Sequence, residues 1–140
     1  MTSIDLRRVK VLYARAALGA AFLSAVASRF GLWERHVSPE RFAAFMRYTA
    51  DVNSFMPAWT IPFLAWTATA AELALGLALV TGIWLRVTAF ASALLLALFA
   101  TSMAISFGLK SPLDYSVFSA SAAALLLADS QHRQKTDGEE

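Results

Sequence analysis

The sequence predicts an all-α, polytopic membrane protein: a four-transmembrane-helix bundle with an amphipathic helix in the first extracytoplasmic loop. Hydrophobic residues make up 58% of the 140 residues and charged residues only 16%, which is typical of membrane proteins rather than of soluble domains. Aromatic residues stand at the ends of the apolar stretches, as membrane interfaces favour. The four apolar stretches cover residues 9–30, 61–83, 87–107 and 112–128.

The first apolar stretch, 9–30, follows a basic segment that contains Arg7, Arg8 and Lys10. This start imitates a signal peptide, but Arg15 interrupts the stretch, and the stretch is longer than an ordinary signal sequence. The sequence therefore favours a retained first helix. The basic cluster at its start predicts that both termini lie in the cytoplasm of a bacterial cell, with the chain in the cytoplasmic (inner) membrane.

The loop between the first two spans contains a helix of its own, over residues 39–51. Ser38 is a typical N-cap residue, and Pro39 fits the first helical position. Apolar residues then recur at helical spacing on one face. We expect this helix to lie in the interface plane or to cover the outer mouth of the bundle.

Glu72 lies near the middle of the second stretch, 61–83, which is long enough to cross the about 30 Å hydrocarbon core. A carboxylate at that depth costs several kcal/mol unless it is paired, protonated or facing a polar cavity. Arg15 is the expected partner, because the depths of the two residues differ by about 7 Å at the helical rise. The pair is either a functional site or a structural clamp between two helices.

The third stretch, 87–107, is strongly apolar, whereas the fourth, 112–128, is short and rich in serine. Stripes of small residues, such as Ala70 and Ala74, indicate close helix packing and leave open a homo-oligomer. Residues 131–140 are polar and predict a flexible tail. The whole chain, 1–140, is expected to form one domain.

A second polar cluster is expected where the spans reach the outer face. Arg29 ends the first span, Asp114 and Tyr115 open the fourth, and Asn53 lies in the loop. Asp114 could cap helix amides or meet Arg29. The cluster is therefore either a polar pocket or a set of ordinary caps and interface charges.

The composition excludes several chemistries. The chain has no cysteine, which excludes disulfide relays, thiolate metal sites and iron–sulfur ligation. Its two histidines, His36 and His132, lie in the loop and the tail, so we expect no metal or haem site. The net charge of +2 fits membrane topology, and we expect no nucleic-acid partner.

The spacing of polar and small residues in the first two spans resembles that of the DoxX-like family, over about residues 13–128. The matching residues are Arg15, Leu18, Gly19 and Phe22, then Glu72, Gly76, Gly82, Arg86 and Ala89. The resemblance implies a four-helix integral membrane protein. Its relatives include the small membrane subunit of a thiosulfate:quinone oxidoreductase and proteins linked to oxidative-stress complexes. By this analogy Arg15, Glu72 and Arg86 are candidate site residues.

Three functions follow as hypotheses. The first is an accessory or anchor subunit of a membrane-associated redox system, with the lipid bilayer and a redox protein as partners. The second is a quinone-interacting oxidoreductase component in which Glu72 or Arg15 acts on protons or on the quinone oxygens. The third is a small-solute carrier with Glu72 on its path. The candidate quinone-binding residues are Arg15, Arg29, Asn53, Glu72, Arg86, Asp114 and Tyr115.

Overall fold

The computed structural model describes the backbone of residues 3–136 and the side chains of residues 6–130. Within that range the chain is helical, which confirms the all-α prediction. Two short 3-10 turns, Leu32–Glu34 and Ala58–Thr60, connect the helices. The α-helices are α1 Ser3–Arg29, α2 Pro39–Val52, α3 Ile61–Thr81, α4 Leu85–Phe107, α5 Lys110–Asp114 and α6 Val117–Thr136.

Within the described residues, three segments are long and apolar enough to cross a membrane: Leu6–Arg29, Ala58–Thr81 and Leu85–Phe107. The segment expected as a fourth span, residues 112–128, differs from these three in length and from the prediction in its starting residue. Its apolar part, Val117–Ser130, is shorter, and it does not start at residue 112, because Ser116 adopts a φ of 55° between α5 and α6. The described part of the chain therefore has three long apolar helices, which is consistent with a helical membrane protein.

The C-terminal segment 131–140 was expected to be a flexible tail. The backbone of α6 continues as a helix to Thr136, so the first part of that segment extends α6. Residues 137–140 lie outside the described part of the chain.

The turn between α3 and α4 is short because glycine ends α3. Gly82 has a φ of 81°, and its N–H donates to Ala78 O at 2.8 Å. A left-handed residue after the last helical turn is the usual helix stop, and glycine adopts it without a steric penalty. The chain can then reverse within three residues and enter α4 at Leu85.

Two helix pairs make up most of the packing, α1 with α3 and α4 with α6. In the first pair the backbones approach at Gly19 and Gly76. A Cβ atom at Gly19 would lie 2.7 Å from Val80 Cγ2 and 3.1 Å from Gly76 O. The close approach therefore depends on glycine, as is common between transmembrane helices. The stripe of Ala70 and Ala74 is exposed and takes no part in it.

The second pair, α4 with α6, also meets through small side chains. Ala89, Ala93, Ala124 and Ala128 are buried there. Ser121 Oγ donates a hydrogen bond to Ala93 O across the interface at 2.8 Å. Contacts between α3 and α4 are much less extensive than those within either pair. The two pairs therefore leave a gap between α3 and α4.

Helix α2 covers one end of this bundle. Phe42 packs against Phe30 and Trp66, with ring centroids 5.5 and 4.4 Å apart. The far end of α2 is held by Ser106 of α4, whose Oγ donates to Val52 O at 2.6 Å. Aromatic packing at one end and a hydrogen bond at the other fix α2 across the gap.

Candidate functional site

A buried ion pair joins the end of α1 to the middle of α3. Arg29 Nη2 pairs with Glu72 Oε2, and the two side chains are only 9% and 5% exposed. Arg29 Nη1 donates a hydrogen bond to Thr69 Oγ1 at 3.0 Å. The Arg29 guanidinium also lies over the Phe45 ring, 3.8 Å from its centroid. Arg29 thus connects α1, α2 and α3 at one point.

The local sequence of α3 builds the acceptor side of this site. Thr69 and Glu72 are three residues apart, so they face the same neighbour. The Thr69 hydroxyl donates to Ala65 O at 2.8 Å, which leaves its lone pairs free to accept from Arg29. The threonine therefore orients the guanidinium while the carboxylate balances its charge.

Arg15 is not the partner of Glu72, so the predicted Arg15–Glu72 pair is wrong. Arg15 Nε donates to Leu79 O at 3.0 Å and Arg15 Nη2 donates to Val80 O at 2.9 Å. These carbonyls belong to the last turns of α3, where a cation is favourable. Val80 lies about 12 Å along α3 from Glu72 at the helical rise of about 1.5 Å per residue.

The expectation failed because it assumed how far α1 slides along α3. It assumed that residue 9 of α1 lies level with residue 83 after α3, whereas Arg15 lies beside Leu79 and Val80, so the first turns of α1 extend beyond the end of α3. The contact of Gly19 with Gly76 sets the actual register and brings Arg15 beside the end of α3. The same register brings Arg29, nearly four turns further along α1, to Glu72.

The second predicted cluster does not assemble as a unit. Asp114 pairs with Lys110 on the exposed surface of α5, not with Arg29. Tyr115 is 73% exposed. Asn53 donates from Nδ2 to Thr49 O at 2.9 Å and shares a cavity with Arg29. Two members of the predicted cluster thus come together, and the other two lie apart from them.

Arg86, the remaining candidate, lies at the start of α4, far along the chain from the site of Arg29 and Glu72. It lines a separate surface depression with Val87, Phe90 and Asp129. That depression is formed by α4 and α6. The candidate residues therefore fall into four places rather than one.

A cavity of about 540 Å³ lies in the gap between α3 and α4, beneath α2, and we call it the α3–α4 cavity. Arg29 and Glu72 form part of its wall. The other lining residues are Phe45, Tyr48, Thr49, Val52, Asn53, Leu64, Thr67, Ala68, Ala71, Leu95, Leu96, Leu98, Phe99, Ser102, Met103 and Val117. The cavity is thus mostly apolar, with a charged but mutually neutralised pair in its wall.

Sequence reasoning missed Thr69, Phe45 and Tyr48. Thr69 carried a usable signal, because it lies three residues before an intramembrane acid and so shares its face. Phe45 and Tyr48 carried none, since an aromatic residue on an amphipathic loop helix is ordinary. Among the side chains of residues 6–130, no cluster of three or more His, Asp or Glu residues could hold a metal ion.

Comparison with known protein families identifies the family of the chain. Residues 7–117 match the family described as methylamine utilisation protein MauE. The match covers more than half of the chain, and the chain therefore belongs to the MauE family, a family of membrane proteins. No curated protein and no solved structure matches the chain.

The match corrects the expected membership of the DoxX-like family. That resemblance rested on one acid, a few glycines and arginines at helix ends. Such residues recur in unrelated membrane helices because glycine permits close packing and arginine favours helix ends and interfaces. Every residue that lines the α3–α4 cavity lies inside the matched range, whereas most of α6 lies beyond it.

Proposed function

We propose that this MauE-family protein is an accessory subunit of a membrane-associated redox system, in which it anchors or stabilises a partner protein within the bilayer. The family description supports this proposal, because it names methylamine utilisation. Methylamine is a fully reduced one-carbon amine, and an organism gains energy from its carbon by oxidising it. A membrane protein that serves such a process fits an assembly of redox proteins.

The observation that carries the accessory role is the way the charged side chains of α1 and α3 are bound. Arg29 and Glu72 are paired with each other, and Arg15 is bound to the carbonyl groups of Leu79 and Val80. Both arginines therefore join α1 to α3, at two levels of the bundle. This arrangement is what a rigid scaffold needs, since breaking a buried ion pair is strongly destabilising.

The proposal includes a location, the bacterial cytoplasmic membrane with both termini in the cytoplasm. One contact supports the placement of both termini on the same side of the membrane. Arg7 Nη2 donates to Ser130 O at 2.8 Å, which joins the start of α1 to α6. The first and last helices therefore meet at the same end of the bundle, opposite α2.

The experiment deletes the gene in the organism that encodes the chain and measures methylamine-dependent oxygen uptake by its membranes. We expect uptake to fall in the deletion strain and to return when the native chain is supplied. We also expect the purified chain, given methylamine and a soluble quinone as electron acceptor, to show no turnover. Unchanged uptake after deletion would reject a role in the system, and turnover by the purified chain would show that it is an enzyme.

A further inference from the structure

We infer that the α3–α4 cavity is a binding site for a lipid-soluble molecule with a hydroxylated ring. The ring would lie against Glu72 beneath α2, and its apolar tail would leave between α3 and α4. This inference concerns a ligand of the chain itself and does not depend on the accessory role. Five features of the cavity carry it: its size, the Glu72 carboxylate, its charge balance, its aromatic walls and its lateral mouth.

The size of the cavity suits a small molecule. Its volume of about 540 Å³ falls within the range of about 300–1,000 Å³ that is usual for ligand sites. Its walls are chiefly apolar, with few polar side chains. This composition is what a ligand with a compact polar part and a larger apolar part requires.

Glu72 supplies the open acceptor. Its Oε2 atom forms the ion pair with Arg29, and its side chain lines the cavity. A carboxylate has about four lone-pair positions, and the ion pair with Arg29 does not use all of them. A ligand hydroxyl can therefore donate to this carboxylate from the cavity.

The charge of the site favours a neutral ligand. Arg29 and Glu72 balance each other, so a bound cation or anion would leave an uncompensated charge in an apolar cavity, which is costly. A hydroxyl group can donate to the Glu72 carboxylate and bring no charge. The acceptor and the charge balance together favour an alcohol, a phenol or a quinol over an amine or an acid.

The aromatic walls favour a ring over a simple alcohol. Phe45 and Tyr48 of α2 and Phe99 of α4 line the cavity. Aromatic side chains pack well against other rings in offset or edge-to-face arrangements. Tyr48 can add a donor, because a phenol is protonated at neutral pH, and partial burial raises its pKa further above the ordinary value.

The mouth of the cavity faces the surface that lipid would cover. Thr67 on α3 and Leu98 on α4 both line the cavity and are exposed on the outside of the bundle. Leu98 is 57% exposed and lies in the middle part of α4. A ligand can therefore enter from the hydrocarbon region, which favours a molecule that is already dissolved in the membrane.

The experiment measures the binding of decylubiquinol by calorimetry to the full chain in lipid nanodiscs, under anaerobic conditions and against empty nanodiscs. The variant Ala71→Leu fills the cavity, whereas the matched variant Ala74→Leu adds the same side chain on the exposed face of α3. We expect saturable binding that Ala71→Leu weakens about tenfold, because added methylene groups overfill a cavity that the ligand needs. Ala74→Leu should bind like the native chain.

A second probe, 1-decanol, has a tail and a hydroxyl group but no ring, and we expect it to bind much more weakly. Three outcomes would overturn the inference: no saturable binding of decylubiquinol, equal binding by Ala71→Leu, or equal binding of decanol. Thermal unfolding of both variants in the same nanodiscs serves as the folding control. Since leucine at position 71 fills space rather than removing contacts, we expect it to leave the unfolding temperature unchanged or higher.

Discussion

Arg29, the last residue of α1, pairs with Glu72 at the middle of α3 while its second guanidinium nitrogen donates to Thr69. The partner of this intramembrane acid therefore comes from the end of the bundle that α2 covers. Because Phe45 of α2 packs on the same guanidinium, the ion pair also fixes the helix that covers the cavity. Stability and the shape of the cavity consequently depend on the same residues.

Removing one partner of this pair should destabilise the protein strongly. We expect Glu72→Leu or Arg29→Met to lower the free energy of unfolding by about 3–5 kcal/mol, because each leaves a buried charge unpaired. The double variant should lose less than either single variant. Unfolding titrations in mild detergent measure all three, and a loss in the double variant equal to the sum of the two single losses would show that the two charges do not depend on each other.

Arg15 should behave independently of Glu72. Arg15→Met removes two hydrogen bonds from a charged group to the carbonyls of Leu79 and Val80, each worth about 1.5–3 kcal/mol at most. In a double-mutant cycle with Glu72→Leu, we expect a coupling energy within about 0.5 kcal/mol of zero, as for residues without contact. A coupling energy as large as that between Arg29 and Glu72 would show that Arg15 does pair with Glu72, contrary to the structure.

The α1–α3 contact should not tolerate a methyl group at Gly19. Gly19→Ala gains about 1 kcal/mol in helix propensity, but overpacking costs about 1–3 kcal/mol. The overpacking should prevail, because one of the close atoms is the carbonyl oxygen of Gly76 and cannot rotate away. Thermal unfolding checks this, with Ala20→Val on the exposed face of α1 as the control. A more stable Gly19→Ala protein would contradict the close approach.

The absence of cysteine from the chain allows its topology to be mapped with single introduced thiols. We expect a membrane-impermeant maleimide to label Val37→Cys in intact spheroplasts, and to label Asp5→Cys and Thr136→Cys only after lysis. Val37 is exposed at the start of the α2 region. Since termini on one side require an even number of crossings, labelling of Thr136→Cys before lysis would show that α6 does not span the membrane.

The sequence predicted the long helices because each needs only a run of apolar residues of membrane length. It also predicted α2, because Ser38 and Pro39 mark its start. It could not choose between Arg15 and Arg29 as the partner of Glu72. The helical rise gives the depth of a residue within its own helix, whereas the slide between helices is set by contacts such as that of Gly19 with Gly76.

The α3–α4 cavity could not be predicted from the sequence, for a related reason. It exists because α1 packs on α3 and α4 packs on α6, while α3 and α4 meet only loosely. That choice of neighbours depends on the combined shapes of all the helices. The sequence did indicate that Glu72 needs a partner, because an acid inside an apolar span is costly unless it is paired, and Arg29 is that partner.

Native mass spectrometry of the protein, extracted from its own membrane in mild detergent, tests the accessory role most directly. The account predicts a stable complex between this chain and a second protein that carries the redox-active group. It also predicts that the complex, and not the isolated chain, supports methylamine-dependent electron transfer. A chain that leaves the membrane alone or only with copies of itself, and that catalyses the reaction unaided, would contradict the account.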